Sequence, residues 1–343
     1  MKLDKVLSSG VPVLLWGAPG VGKTAHVYAL GRQNKLKVVG LVASLYEPAD
    51  FAGYPVPAKD KMQFLPPSWV SELRDGGILF LDEINTAPPA VQAALLRVFL
   101  ERQVGDVKLP DTVRIIAAAN PPELAAGGWE LTAPLANRFV HIQFTPNATH
   151  WASEFPGYWG NPPEVPGLEE AQWRKNRSLV AAFIHRRPQL LLQLPGESGQ
   201  TSFPSPRTWD YVSRLLTVCP DEPEELVLGA VGPGAGSEFL TWRRSLDLPT
   251  PQQLLDGHPL PNRPDAAFAA LMALAAFVQK SPARDSWTKA VEITANVAPD
   301  VAVVVLRDLL KVRKKEWPIP TALNKLVPSL RAAGLLGQVA RND

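Results

Sequence analysis

Eight residues near the start of the chain, Gly17-Ala18-Pro19-Gly20-Val21-Gly22-Lys23-Thr24, combine glycines that let a backbone bend closely with a lysine and a hydroxyl. The order Gly-x4-Gly-Lys-Thr is that of a loop that wraps a phosphate. Its successive backbone N–H groups, with those of the following helix from Ala25 onward, offer partial positive charge to an anion. Lys23 is expected to reach the β- and γ-phosphates of ATP, and the Thr24 hydroxyl to ligate Mg2+. A second constellation, Ile78-Leu79-Phe80-Leu81-Asp82-Glu83, ends an apolar run in two carboxylates. Alone, such a pair caps the next helix as readily as it does chemistry. About sixty residues after a phosphate loop, it reads as a metal-holding Asp82 and a Glu83 that polarises a water. A third, Ala117-Ala118-Ala119-Asn120-Pro121, places an amide after another apolar run. If that strand lies between the other two, Asn120 faces the same crevice and can orient the water or touch the γ-phosphate; otherwise it only starts a turn.

Elements that could position these groups are visible in the pattern. Apolar runs at Val11 to Trp16, Val38 to Ala43, Ile78 to Leu81, Val113 to Ala119 and Val140 to Phe144 read as strands. Between them, Lys23 to Arg32 and Ala90 to Glu101 have helical spacing, the latter with Val91, Leu95, Val98 and Phe99 on one side. Uninterrupted apolar strands alternating with helices imply a parallel sheet covered on both faces. Ligands of such sheets bind beyond the carboxyl ends of the strands, where all three constellations fall.

The texture changes near Pro146. Residues 147–170 are rich in Trp, Pro and Gly and read as a linker or irregular segment. Helical patterns follow at Ala171 to Leu194, Thr208 to Val218, Glu224 to Ala230, Glu238 to Leu246, Ala266 to Gln279 and Pro299 to Lys311. The expectation is an α/β P-loop core with a five-stranded parallel sheet over residues 1–146, then a linker and all-α lid over 147–343.

Composition narrows the classes. The chain has 343 residues, 46% of them hydrophobic, enough for about two domains. A net charge of +2 gives no electrostatic case for nucleic acid or an anionic membrane. One cysteine, Cys219, excludes an internal disulfide and reads as a buried structural thiol. The apolar stretch Ala266 to Val278 is too short to span a bilayer, and the start of the chain does not read as a signal peptide. A cytoplasmic protein is expected. The five histidines show no metal-ligand spacing; His26 is expected to pack behind the phosphate loop. The tryptophans, Trp209, Trp242 and Trp287 above all, read as anchors between helices.

The three constellations, at this spacing, resemble those of AAA+ ATPases, and the resemblance extends to the MoxR-like branch of the helix-2-insert group. It is carried by Gly17 to Thr24 (Walker A), Ile78 to Asn85 (Walker B), Ala117 to Asn120 (sensor 1), Pro134-Leu135-Ala136-Asn137-Arg138-Phe139 (arginine-finger box), Ser205-Pro206-Arg207-Thr208 (sensor 2) and Asp50-Phe51-Ala52-Gly53. It covers residues 5 to 220. What it implies is a ring, usually a hexamer, in which Arg138 reaches the nucleotide of the neighbouring subunit and Arg207 couples the lid to the nucleotide. Residues 54–64 and 103–106 are then projecting loops for engaging substrate. The implied function is ATP hydrolysis that remodels or activates a client protein complex. The work is chaperone-like, with a von Willebrand A-domain partner and metal-cofactor insertion among the family's roles. Two alternatives stay open from the residues alone, a nucleic-acid motor or loader and an ATP-dependent scaffold with little turnover.

Overall fold

The computed structural model describes residues 3–124, 129–157, 166–195 and 201–335. The chain divides into two compact units, Met1–Thr145 and Pro146–Asp343. In the first unit a short helix α1 (Leu3–Ser9) precedes β1 (Val13–Trp16), α2 (Lys23–Gln33) and β2 (Val38–Val42). Then come α3 (Ala49–Ala52), an antiparallel hairpin of β3 (Tyr54–Ala58) and β4 (Lys61–Leu65), α4 (Ser68–Ser71) and β5 (Gly77–Asp82). Helix α5 (Pro89–Glu101), a small hairpin of β6 (Gln103–Val104) and β7 (Val107–Lys108), β8 (Val113–Ala119), α6 (Ala133–Ala136) and β9 (Val140–Gln143) complete it.

The main sheet has five parallel strands in the order β2-β5-β8-β1-β9. This is the expected doubly covered α/β sheet, and each of its strands lies within two residues of an apolar run read from the sequence. Alternate residues of β1, β5 and β8 feed two apolar layers, because successive side chains point to opposite faces. Leu14, Leu79, Leu81, Ile115 and Ala117 pack with α5 on one face. Val13, Leu15, Ile78, Phe80 and Ile116 pack with α1 and α2 on the other. Burial on both faces explains why these strands read as continuous apolar runs.

The second unit is all-α among its described residues. It contains α7 (Ala148–Glu154), α8 (Glu170–Arg186), α9 (Pro206–Val218), α10 (Pro223–Val231) and α11 (Pro233–Arg244). These are followed by α12 (Pro251–Leu255), α13 (Pro264–Lys280), α14 (Arg284–Ala295), α15 (Pro299–Lys311) and α16 (Val327–Ala332). The segment read as a linker holds a helix, α7, whose Asn147 cap accepts a hydrogen bond from the His150 N–H. Its Trp151 and Phe155 stack at 4.2 Å within the unit's core. Residues 158–165 of that segment lie outside the described residues. The single helix expected over Ala171 to Leu194 ends at Arg186, since Pro188 restricts Arg187 and only a 3-10 turn, Pro188–Leu190, follows. Cys219, expected to be buried, is partly exposed at the C-cap of α9. No helix among the described residues is long and apolar enough to cross a membrane.

Aromatic side chains and one carboxylate lock this unit. Phe183, Trp209, Phe239 and Trp242 form a cluster with centroid separations of 5.2–6.0 Å. The indoles of Trp209 and Trp287 donate to the carbonyls of Leu190 and Leu309, each at 2.8 Å. Asp265, in the first turn of α13 and 5% exposed, accepts from Trp242 Nε1, from Arg263 at 2.8 Å and from Arg186 at 3.4 Å. Burial pushes its carboxyl pKa up, but the hydrogen bonds from Arg263 and Trp242 and the two guanidinium charges outweigh that and hold it at about 2. A folded-state pKa below the unfolded one stabilises the fold above the unfolded value and is lost as pH falls through the folded one. Asp265→Asn should therefore cost about 2 kcal/mol at pH 6. The gap between variant and native protein in urea melts should close as pH falls from about 4 to about 2. A gap that stays constant over that range would rule out ionised Asp265 as its source.

Candidate nucleotide site

The phosphate-loop residues occupy the turn between β1 and α2. Gly22 caps α2 at φ 98°, a left-handed conformation that glycine adopts without steric cost. At Gly17 the constraint is a close approach: a Cβ there would lie 2.5 Å from the Phe144 carbonyl oxygen, just past β9. Behind the loop the His26 ring packs against Phe144 at 5.4 Å. Lys23 is 7% exposed, and its ammonium donates to Gly17 O at 2.6 Å, Ala18 O at 3.1 Å and Asn120 Oδ1 at 2.9 Å. A buried cation must be met by oxygens in this way.

Strand β8 does lie between β1 and β5, so Asn120 and the acidic pair converge on the same sheet edge. The Thr24 hydroxyl donates to Asp82 Oδ2 at 2.6 Å, which joins the phosphate loop to the end of β5. Asp82 Oδ1 accepts the Glu83 N–H at 3.0 Å. Glu83 itself is at φ 53°, ψ 39°, a left-handed conformation unusual for a side-chain-bearing residue. Its carbonyl is held by the N–H and hydroxyl of Thr86, at 2.9 and 2.7 Å. Its carboxylate is exposed and has no hydrogen-bond partner among the described residues. The pairing of one hydroxyl and one carboxylate oxygen suits a hard divalent cation such as Mg2+, which takes oxygen ligands and keeps several waters.

The remaining expected site residues are placed as follows. Arg138 is partly exposed after α6 and donates to the Pro134 carbonyl at 2.9 Å. Arg207 is the second residue of α9, in the helical unit. That helix opens with a capping box between Ser205 and Thr208, and the exposed Arg207 guanidinium has no partner among the described residues. Loop residues 54–64 form a hairpin with Lys59 and Asp60 at its tip and Tyr54, Val56, Met62 and Phe64 exposed. The 103–106 turn is joined to it: Asp106 N–H donates to Phe64 O, and Phe64 N–H to Asp106 Oδ2, both at 2.8 Å. Sequence reading treated these as separate projections.

Two buried amides were missed. Asn85, 3% exposed, donates from Nδ2 to Asn120 O at 2.8 Å and accepts from Asn120 N–H at 3.3 Å. Gln92, fully buried on α5, donates to Ala87 O at 3.1 Å and accepts from Thr132 N–H at 3.0 Å. The available signal was an amide at an otherwise apolar position, since Gln92 neighbours Val91 on the face that includes Leu95 and Val98.

A sheet of this order, with a phosphate loop after β1, an acidic pair after β5 and an amide after β8, has the arrangement of a P-loop nucleotide site. Comparison with known proteins gives a match of residues 12–139 to the AAA domain (dynein-related subfamily). Midasin from Giardia intestinalis is 28% identical over 149 residues, 41% of this chain and 3% of its own length. The nitric oxide reductase transcription regulator NorR2 from Cupriavidus necator is 35% identical over 130 residues, 35% of this chain and 25% of its own. This chain thus spans a minor part of the curated relatives it matches. Among solved structures, NtrX from Brucella abortus in complex with ATP aligns over 97% of this chain and 66% of that one, at 17% identity and a TM-score of 0.40.

Gly17→Ala tests the geometry independently of any ligand. The added methyl must displace either the loop or the chain after β9, which should cost about 1–3 kcal/mol and lower the melting temperature by several degrees. A variant that melts with the native protein would mean that the junction relaxes freely.

Proposed function

We propose that this chain is an ATP hydrolase of the MoxR-like branch that works as a ring, a hexamer, to remodel or activate a client protein complex. The observation that carries the proposal is the Thr24–Asp82 hydrogen bond beside the Lys23–Asn120 contact, which brings all three constellations to one sheet edge. The AAA-domain match over residues 12–139 supports the same reading.

In this reading the backbone N–H groups from Gly17 to Ala25 cradle the phosphates, and Lys23 neutralises the β- and γ-phosphate oxygens. Thr24 and Asp82 hold Mg2+, which when bound neutralises charge developing on the phosphates. Glu83, whose exposed carboxylate has no partner among the described residues, polarises the attacking water, and Asn120 orients it. Arg138 acts on the nucleotide of the adjacent subunit, which requires head-to-tail contacts that close into a ring. Arg207 reads the nucleotide from the lid. The paired hairpins at 54–64 and 103–106 engage the client. By its resemblance to the branch, the partner is a protein with a von Willebrand A domain, and metal-cofactor insertion is one such task. The site of action is the cytoplasm.

Two measurements test this. Glu83→Gln should bind ATP as the native chain does yet turn over about 100-fold more slowly. Unchanged turnover would remove Glu83 as the base. Arg138→Ala rings should be inactive but regain activity when mixed with Lys23→Ala subunits, which donate an intact arginine. If mixed rings of confirmed composition stay inactive, Arg138 does not act in trans.

A further inference from the structure

The segment that leads to Arg138 is tied to the phosphate-facing edge by side chains that the reaction scheme above does not use. Asn85 sits in the 3-10 turn Ile84–Thr86, immediately after the acidic pair. Its amide brackets the backbone of Asn120, accepting from that residue's N–H and donating to its carbonyl. Its own carbonyl accepts the Trp129 N–H at 2.8 Å. Three residues further on, Thr132 donates its N–H to Gln92 Oε1, and Gln92 Nε2 reaches Ala87 O, at the end of the same turn, and Glu130 O at 3.4 Å. Trp16 Nε1 donates to His141 Nδ1, whose Nε2 meets Ala136 O, each at 2.9 Å, so the end of β1 also holds α6. Arg138 lies two residues past the end of α6 and bonds back to Pro134.

We infer that Asn85 and Gln92 are positioning residues that carry the nucleotide state of a subunit's own site to the segment presenting Arg138. The inference rests on the proposed ATP site. A phosphate that draws the Lys23 ammonium takes it from Asn120 Oδ1. Asn120 is gripped at both its backbone groups, so a displacement there is taken up by Asn85 and its turn rather than dissipated by a side-chain rotation. From that turn the Trp129 and Ala87–Gln92–Thr132 bonds lead to residues 129–132, and α6 hands the shift to Arg138. Both amide side chains are themselves buried, and a buried polar group left unpaired is costly. The linkage therefore moves as a unit, which is the physical requirement for coupling between sites.

The test uses the full chain and hydrogen exchange of backbone amides, with and without AMP-PNP and Mg2+. In the native protein AMP-PNP should change the exchange rates of the Trp129 and Thr132 amides by about fivefold or more. Asn85→Leu, which keeps the volume, should bind AMP-PNP with a Kd within about threefold of native yet show no exchange response at either amide. Its kcat for ATP should fall about tenfold or more while KM stays within about threefold. Gln92→Leu should lose the response at Thr132 and keep it at Trp129. An Asn85→Leu protein that binds AMP-PNP and responds like the native chain would overturn the inference, as would a native chain that binds AMP-PNP with no response at 129–132. Should Asn85→Leu not fold, a native-like response in Gln92→Leu overturns it equally. A native chain that fails to bind AMP-PNP sinks the ATP site itself, a result distinct from these.

Discussion

A buried ammonium has to be met by oxygen atoms, and the architecture of the first unit supplies them from two places in the chain. Lys23 is fixed by the turn after β1, whose own carbonyls at Gly17 and Ala18 provide two acceptors. The third, Asn120 Oδ1, comes from β8, and only a sheet in which β8 neighbours β1 can deliver it. The same order places β5 on the other side of β8, so the carboxylate of Asp82 comes within reach of the Thr24 hydroxyl. Strand order thus fixes the chemistry: a sheet in which β8 did not neighbour β1 would leave the lysine without its amide. The apolar faces of these strands hold that order in place.

The strands and the phosphate loop were legible because their determinants are local. A parallel strand buried on both faces must be apolar throughout, and a loop that wraps an anion must have glycine at set places. Proline carries a further local signal: α5, α9, α10, α11, α12, α13 and α15 all begin with it. At that position its missing N–H costs nothing and its fixed φ already suits a helix. Applied uniformly, that rule would have found α12, which the apolar pattern is too short to reveal.

What escaped was set by partners distant in sequence. Nothing local to Asn85 says that it will bracket a backbone 35 residues away, and nothing in α5 says that Gln92 will hold Thr132. Helix α7 hid for a related reason: its tryptophan, histidine and nearby prolines look irregular until Trp151 and Phe155 find each other in the helical core. Asp265 is likewise a single carboxylate at a helix start in the sequence, and becomes a hub only when α8, α11 and the residue before α13 bring Arg186, Trp242 and Arg263 to it.

The site also separates groups that are held from groups that are free. Lys23, Thr24, Asp82 and the Asn120 backbone are each bonded within the first unit. Glu83 differs in that its backbone is pinned in a strained left-handed turn while its carboxylate is left unbonded among the described residues. Strain of about 1 kcal/mol or more persists only where the surroundings over-determine it. Here the surroundings are Asp82 Oδ1 on the Glu83 N–H and Thr86 on its carbonyl. The effect is to aim an exposed carboxylate without using it as a structural acceptor. A glutamate that merely capped the 3-10 turn would have turned its oxygens onto the turn's own N–H groups, as Ser205 does at α9, and would have needed no positive φ.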